Sequence, residues 1–143
     1  YPASLHALLG TIAEHRIRGL VFLSGDEHLG MMSSVRLLPE GAPEHEGINV
    51  QFVHTGALYA PYPFANAQPD DLLGHERFSF DHQADAGLRR YTCSIETDFV
   101  SGSGFSLVQL SRRTGGWRLV CEFMREGADG AAACPIFERE LEL

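Results

Sequence analysis

Two different hydrophobic periods follow each other at the start of the chain. Apolar residues first recur at helical spacing, which predicts an amphipathic helix with Leu5, Leu8, Leu9, Ile12 and Ala13 on one face. Ser4 is the expected N-cap of this helix and Gly19 its expected stop. Residues 20–23 then form a continuous apolar run that ends at Ser-Gly, which predicts a strand buried on both faces. Helix, turn and buried strand together predict an α/β unit.

The middle of the chain predicts two further strands and a long loop. Residues 31–38 and 48–54 are the strand candidates, and the Pro- and Gly-containing segment between them is expected to be a surface loop. Prolines interrupt any period in residues 61–90, so this segment is interpreted as a Pro-rich loop. Phe78 and Phe80 alternate with polar residues and indicate one short strand inside it.

Three alternating runs in the last third of the chain predict an antiparallel meander, because Gly-containing turns separate them: residues 91–98, 105–110 and 117–124. The tail, residues 136–143, fits either a last strand or a short helix. The predicted fold class is therefore α/β in the broad α+β sense, a helix–strand unit followed by antiparallel strands. The expected organisation is one domain, with residues 1–60 as the helix–strand unit, 61–90 as the loop and 91–143 as the antiparallel section.

Composition restricts the class of protein. The 143 residues are 44% hydrophobic and 21% charged, which is typical of a packed globular domain or a piece of one. All basic side chains are Arg, and the net charge of −8 gives no general attraction to nucleic acid or anionic lipid. No apolar run approaches the roughly 18 residues of a membrane-spanning helix. The chain starts at Tyr1 without an initiator Met, so we expect it to be a fragment of a longer protein.

The three cysteines do not indicate a disulfide scaffold or a zinc motif, because they are widely spaced and no Cys-x-x-Cys pair occurs. Cys93 and Cys121 fall on the positions predicted to face inward, so buried thiols are expected. A disulfide between neighbouring strands, in an oxidising compartment, is the alternative. The sequence leaves this choice open.

The candidate chemistry lies where the first predicted strand ends. Asp26 and His28 are two residues apart, and in an extended segment such side chains point the same way. A carboxylate beside an imidazole suits Mn, Fe or Zn, and the carboxylate alone also suits Ca. In open α/β sheets the carboxyl ends of strands are where ligands bind. The alternative is an ordinary turn, with a capping Asp and a surface His.

The segment LVFLSGDEH, residues 20–28, resembles the last metal-binding motif of the alkaline phosphatase D-like metallophosphoesterases, which belong to the calcineurin-like phosphoesterase superfamily. In that family a hydrophobic strand runs into Ser-Gly-Asp-x-His. The preceding helix and the stretches GALYAP and FAN also look similar, so the likeness covers residues 5–66. Glu27 departs from the family, which usually has an apolar or aromatic residue at that position.

The resemblance implies a β-sandwich flanked by helices that holds two metal ions (Ca, Fe, Mn or Zn) and hydrolyses phosphate mono- or diesters with metal-activated water. Asp26 and His28 match metal ligands of the motif. The family's earlier ligand motifs do not occur in this chain. The chain is therefore expected to be the C-terminal part of such an enzyme, inactive without the N-terminal part of the parent chain. The resemblance also implies a periplasmic or secreted location, with a cytoplasmic one left open.

Two further residues are predicted to bind substrate: His54, at the end of the third strand, and Tyr59 in the segment that follows. His75 and His82 are expected to be solvated loop residues. The competing interpretation is a non-enzymatic, β-rich binding module that uses its Pro-rich loop to hold a partner. In that case residues 26–28 would be a turn without a metal.

Overall fold

The computed structural model describes residues 1–25, 29–56, 74–101, 104–125 and 134–142. In chain order the elements are α1 (Pro2–Glu14), β1 (Leu20–Ser24), β2 (Leu29–Pro39), a short 3-10 helix (Glu44–Glu46), β3 (Ile48–His54), β4 (His75–Ala84), β5 (Gly87–Ser101), β6 (Phe105–Arg113), β7 (Gly116–Arg125) and β8 (Cys134–Glu142). A five-stranded sheet has the order β1-β3-β2-β5-β4, and a three-stranded sheet has the order β6-β7-β8. The described chain is thus mostly strand with one α-helix, an α+β fold. That α-helix is too short to cross a membrane, as is every helix in the described ranges.

The larger sheet is mixed. β1 pairs with β3 in parallel, whereas β2 pairs antiparallel with both β3 and β5, and β4 pairs antiparallel with β5. Since β3 lies between β1 and β2, both of its edges are used. The carboxyl ends of β1 and β3 consequently lie side by side at one end of the sheet, with Ser24 opposite His54.

α1 covers one face of this sheet. Leu9 and Ile12 are each 2% exposed and belong to the main core cluster. Their partners are alternate residues of the strands, which share a face because side chains alternate along a strand: Val35, Leu37, Ile48, Val50, Phe80, Tyr91 and Cys93. This burial removes Leu9, Ile12 and Ala13 from water, whereas Leu5 and Leu8 of the predicted apolar face remain 42% and 43% exposed. Burial of this kind is the main source of stability for a helix of this length.

Three helix positions spaced four residues apart lie along β4. The His6 ring stacks on Phe80 with centroids 5.1 Å apart. Gly10 lies against the His82 ring, and a Cβ at this position would stand 2.7 Å from the His82 Cβ and nearer still to the ring. Glu14 then accepts hydrogen bonds from the His82 ring, Nε2 to Oε2 at 3.1 Å, and from the Asp85 backbone N–H at 2.9 Å. Residues i, i+4 and i+8 share one helix face, so a single row docks α1 on β4.

The opposite face of the larger sheet packs against the smaller sheet. Met32 and Val53, which are register partners on β2 and β3, form a second buried cluster with Cys121 and Phe123 of β7. Gly30 marks a close approach, because a Cβ there would lie 2.8 Å from the Phe123 ring. The first sheet therefore has a helix on one face and strands on the other.

The helix and the first strand differ from the expectation. α1 begins at Pro2 with Tyr1 as N-cap, so the prediction of Ser4 as the cap is wrong; proline at the first helical position suits the helix start. The helix ends at Glu14, and Gly19, with a φ of 66°, belongs to the turn before β1.

β1 is also not buried on both faces. It lies at the edge of the sheet, and Leu23 is 66% exposed.

The expectation of a Pro-rich loop over residues 61–90 is wrong for its second half, whereas residues 57–73 lie outside the described ranges. β4 and the start of β5 form a hairpin there, joined by the two residues Asp85 and Ala86, and the φ of 114° at Gly87 suits a tight turn. The predicted short strand at Phe78 and Phe80 is confirmed as part of a longer one. β4 is an edge strand with polar residues at many positions, and such a strand shows little hydrophobic periodicity.

The expectation of one meander is also wrong, although all three of its strands exist. β5 pairs with β2 on one side and β4 on the other, so no edge of it is left for β6. β6 and β7 instead form a separate sheet with β8. The tail, for which the sequence left strand or helix open, is therefore a strand.

The prediction of two inward-facing thiols is confirmed. Cys93 and Cys121 are buried and free, and they belong to clusters on opposite faces of the larger sheet, so they do not pair with each other. Burial, with a further contribution from the Glu76 carboxylate, raises the pKa of Cys93 to about 11. Burial also raises the pKa of Cys121, and Glu122 adds to this.

We expect Gly10→Ala to destabilise the protein. Alanine favours a helix by up to about 1 kcal/mol over glycine, but the new methyl group would overlap His82, and overpacking of this kind costs about 1–3 kcal/mol. Urea unfolding of the single variants and of the Gly10→Ala, His82→Ala pair measures the coupling between the two positions. If the loss persists undiminished in the His82→Ala background, the contact with the His82 ring is not its cause.

Glu14→Gln should lower stability in a pH-dependent manner. The hydrogen bond from the Asp85 N–H and that from His82 hold the pKa of Glu14 below its ordinary value of 4.5, with smaller electrostatic contributions from His15 and His82. A depressed carboxyl pKa stabilises the folded state above the unfolded pKa, and this stabilisation disappears as the pH falls through the folded pKa. The difference in unfolding free energy between wild type and Glu14→Gln should therefore shrink as the pH falls below about 4.5. A difference that does not change down to pH 3 would contradict this assignment.

Neither core thiol should react readily in the folded protein. At pH 8 the Cys93 thiol, with its pKa of about 11, is roughly one part in a thousand thiolate, which is the reactive form, and the raised pKa of Cys121 acts in the same direction. We expect Cys93 and Cys121 to react with iodoacetamide at least about a hundredfold more slowly in the native chain than in guanidinium chloride. Peptide mapping by mass spectrometry assigns the label to each cysteine. Rapid native labelling of Cys93 would show that its burial is not maintained.

Candidate functional site

The candidate site is the end of the larger sheet where β1 and β3 finish together. Thr55 donates its backbone N–H to the Ser24 carbonyl at 3.0 Å, so the pairing of the two segments continues one residue past β3. Asp26 and His28, the predicted metal ligands, follow β1 directly along the chain but lie outside the described residues, as does Tyr59. Their structural assignment therefore stays a prediction, whereas that of His54 can be given in detail.

His54 is held by the strand beside it. Its Nδ1 lies 2.9 Å from Ser24 Oγ, a hydrogen bond between side chains that are register partners on parallel strands. Its Nε2 is buried and has no hydrogen-bond partner among the described residues. A buried polar atom without a partner is uncommon in folded proteins and calls for an explanation such as a bound ion.

The sheet face around His54 changes from apolar to polar along the strands. Phe22 and Phe52 stack with centroids 4.7 Å apart, one position before Ser24 and His54 on the same face. Ser33 of β2 is the register partner of Phe52 and is 9% exposed. Its hydroxyl lies 2.7 Å from the hydroxyl of Thr97, its register partner on β5. Hydroxyl and imidazole groups thus replace aliphatic side chains toward the carboxyl ends of β1 and β3.

Within the described residues, neither backbone strain nor close packing explains Gly25. Its φ is not positive, and a Cβ at this position would meet Thr55 at 3.6 Å, which is an ordinary van der Waals distance.

The described part of the chain contains no group of three His, Cys, Asp or Glu residues that could hold a metal ion on its own. A metal site at this end of the sheet therefore stays a prediction, which would need donors outside the described ranges. His54 is compatible with such a site, because its Nε2 is a buried nitrogen whose hydrogen-bonding capacity is unused by the described residues.

His82 has a structural function instead of the solvated loop position expected from the sequence. Its side chain is 12% exposed, on β4, and it bonds Glu14 of the helix. The neighbouring Asp81 carboxylate is 3.3 Å from Arg90 on the paired strand, and both are about half exposed. These residues lie on the hairpin whose tip points away from the β1 and β3 ends, so they are not part of the candidate site.

Ser24 is the residue of this site that sequence analysis did not identify. It belongs to the Ser-Gly-Asp-x-His segment, but its contact partner is thirty positions away in the chain. In the sequence, Ser24 and His54 each stand at the end of a predicted strand. This indicates a contact between them only once the two strands are known to be parallel.

Comparison with known proteins does not add a family. A scan against protein-family models, a search of curated proteins and a search of solved structures each find no match to this chain. The function has to be argued from the motif and from the geometry at the ends of β1 and β3.

Proposed function

We propose that this chain is the C-terminal part of a metal-dependent phosphoesterase, a hydrolase of phosphate mono- or diesters related to the alkaline phosphatase D-like metallophosphoesterases. The observation that supports the proposal most directly is the position of the Ser-Gly-Asp-x-His segment. It leaves β1 at the edge of the sheet where the parallel strand β3 also ends. Ligand sites in sheets with parallel strands are built at such ends.

Asp26 and His28 are the proposed metal ligands in this segment. A carboxylate oxygen and an imidazole nitrogen are donors that Mn, Fe and Zn accept together, and the carboxylate also suits Ca. Two bound cations would neutralise the phosphate oxygens of the substrate and lower the pKa of the attacking water. In this proposal the chain supplies both donors directly after β1, a strand that is hydrogen-bonded to β3.

The remaining ligands are proposed to come from the N-terminal part of the parent protein. Two donors are too few, since each metal takes four or more. The β1 edge of the larger sheet is compatible with this, because in the described ranges no strand pairs with its outer side and Leu23 is 66% exposed there. In this proposal the two packed sheets form part of a β-sandwich, and Tyr59 contacts the substrate.

The test is the hydrolysis of p-nitrophenyl phosphate and bis(p-nitrophenyl) phosphate by the parent protein that contains this chain, with Mn²⁺ or Ca²⁺ supplied. Asp26→Asn and His28→Ala should each lower kcat by at least about a hundredfold, because each removes a metal ligand. Removal of metal by a chelator should abolish activity, and re-addition should restore it. Thermal unfolding should change little, because both residues follow the end of a strand.

Asp81→Asn is the matched control, because it neutralises a half-exposed carboxylate on the far part of the hairpin. This variant should keep wild-type activity. Normal activity in Asp26→Asn or His28→Ala would overturn the proposal. Metal-independent behaviour of the chain, together with a partner bound through residues 57–73, would instead favour the binding-module interpretation.

A further inference from the structure

We propose that a cavity between the turn before β1 and the smaller sheet binds a small aromatic acid, that is, a planar ring that carries a carboxylate or a phosphate. Arg18 holds the anionic group, and the indole of Trp117 stacks on the ring. The proposal is independent of the proposed function. Gly19, on the cavity wall, precedes β1, whereas the proposed metal site follows β1, roughly 16 Å further along the extended strand.

The cavity provides the space for such a ligand. Its volume is about 460 Å³, and its walls in the described part of the chain are Arg18, Gly19, Leu110 and Trp117. Small-molecule sites have volumes of about 300–1,000 Å³ and combine apolar or aromatic walls with few polar groups. Here the leucine and the indole are the apolar walls, and the guanidinium is the polar group. Size and lining are therefore both those of a small-molecule site.

Trp117 stands where an otherwise buried row of side chains reaches solvent. It shares a face of β7 with Leu119, Cys121 and Phe123, because side chains two positions apart point the same way. Those three residues are 4%, 0% and 4% exposed, whereas Trp117 is 47% exposed. Its indole has no hydrogen bond or ring contact with any other described residue. It therefore presents a flat, unoccupied aromatic surface on which a second ring can stack.

Arg18 brings a positive charge that has no carboxylate partner. Within the described ranges neither Arg18 nor Arg112, the register partner of Trp117 on β6, forms an ion pair, whereas Arg36 and Arg90 do. In a chain with a net charge of −8, this makes the cavity a local positive region. A guanidinium binds a carboxylate or phosphate through two parallel hydrogen bonds. The same charge disfavours the cations that an indole face otherwise attracts.

The turn that carries Arg18 is fixed by the end of α1. Arg16 donates its backbone N–H to the Ala13 carbonyl at 3.2 Å, and Ile17 donates to the Ile12 carbonyl at 3.0 Å. With Arg16 at a φ of 50°, this is the pattern of a Schellman motif, in which the residue after the helix cap is left-handed. Arg18 follows a hydrogen-bonded turn directly, so little backbone freedom is lost when its side chain binds an anion.

The experiment is titration of the ¹⁵N-labelled chain with 2-naphthoate, a carboxylate probe, and with adenosine monophosphate, a phosphate probe. Trp117 is the single tryptophan of the chain, so the one indole N–H signal in ¹H–¹⁵N spectra reports on this cavity directly. We expect at least one probe to shift this signal in a saturable manner, and the tighter of the two identifies the anionic group. Acetate and inorganic phosphate, which lack a ring, should not shift it at the same concentrations.

Substitutions test the two recognition elements separately. Arg18→Gln should weaken binding at least tenfold, because it removes the charged hydrogen-bond donors. Trp117→Leu should also weaken it at least tenfold, measured by calorimetry because the indole signal is lost. Leu110→Glu should abolish binding by placing a carboxylate on the wall, whereas the uncharged Leu110→Gln should weaken it less than threefold. Leu110 is 57% exposed, so this pair tests the proposal even if Trp117→Leu does not fold.

Arg77→Gln is the matched control, because it changes the net charge by the same amount as Arg18→Gln. Arg77 is an exposed residue of β4, at the opposite edge of the larger sheet from β1. This variant should leave the affinity unchanged, and thermal unfolding should show that each variant is folded.

Three results would overturn the proposal. The first is that neither acid shifts the indole signal. The second is that wild type and Arg18→Gln bind the probes equally well. The third is that the neutral 2-naphthamide binds as tightly as 2-naphthoate, since the cavity would then be an apolar surface without preference for an anion.

Discussion

The alternation of side chains along β2 and β3 is the constraint on which the rest of the structure depends. Val35 and Val50, which are register partners, face α1, whereas the partners Met32 and Val53 face β7. Because successive side chains point to opposite faces, a slip of one residue in this register would exchange the two sets. The helix and the smaller sheet would then both meet the wrong side chains. One register thus defines two cores at once.

The parallel pairing of β1 with β3 determines where the proposed site lies. β3 is already paired with β2 on one edge, so β1 occupies the other edge, and the two strands end together. The segment that leaves β1 therefore starts beside His54. A site built in this way depends on backbone hydrogen bonds of a sheet, which restrict the positions of its side chains more tightly than a free loop would. The Ser24–His54 hydrogen bond is a direct consequence of this pairing.

The helix and the candidate site share one face of the sheet without competing for it. α1 docks through a single row, His6, Gly10 and Glu14, on alternate residues of β4. The hydrophobic cluster under the helix gives way to Ser33, Thr97 and His54 toward the carboxyl ends of β1 and β3. The face is thus divided into an apolar part that stabilises the fold and a polar part beside the proposed site.

Local periodicity by itself determined most of the strands. The predicted strand at residues 48–54 coincides with β3, and the inward positions of Cys93 and Cys121 follow directly from period-two alternation. The Ser-Gly-Asp-x-His segment also marks Asp26 and His28 as candidate ligands without any structure. These features are local, because burial on one face leaves its pattern in neighbouring residues.

The tertiary structure alone decided which strands pair and which side chains meet. β4 was expected to be mostly loop because an edge strand with charged residues has a weak hydrophobic pattern, and β5 was expected to pair with β6 although both its edges are used elsewhere. The Ser24–His54 contact likewise depends on a parallel register between distant segments. Backbone hydrogen bonds between strands are nearly independent of side-chain identity, so partner and register are set by the packing of the whole domain and leave little trace in any one segment.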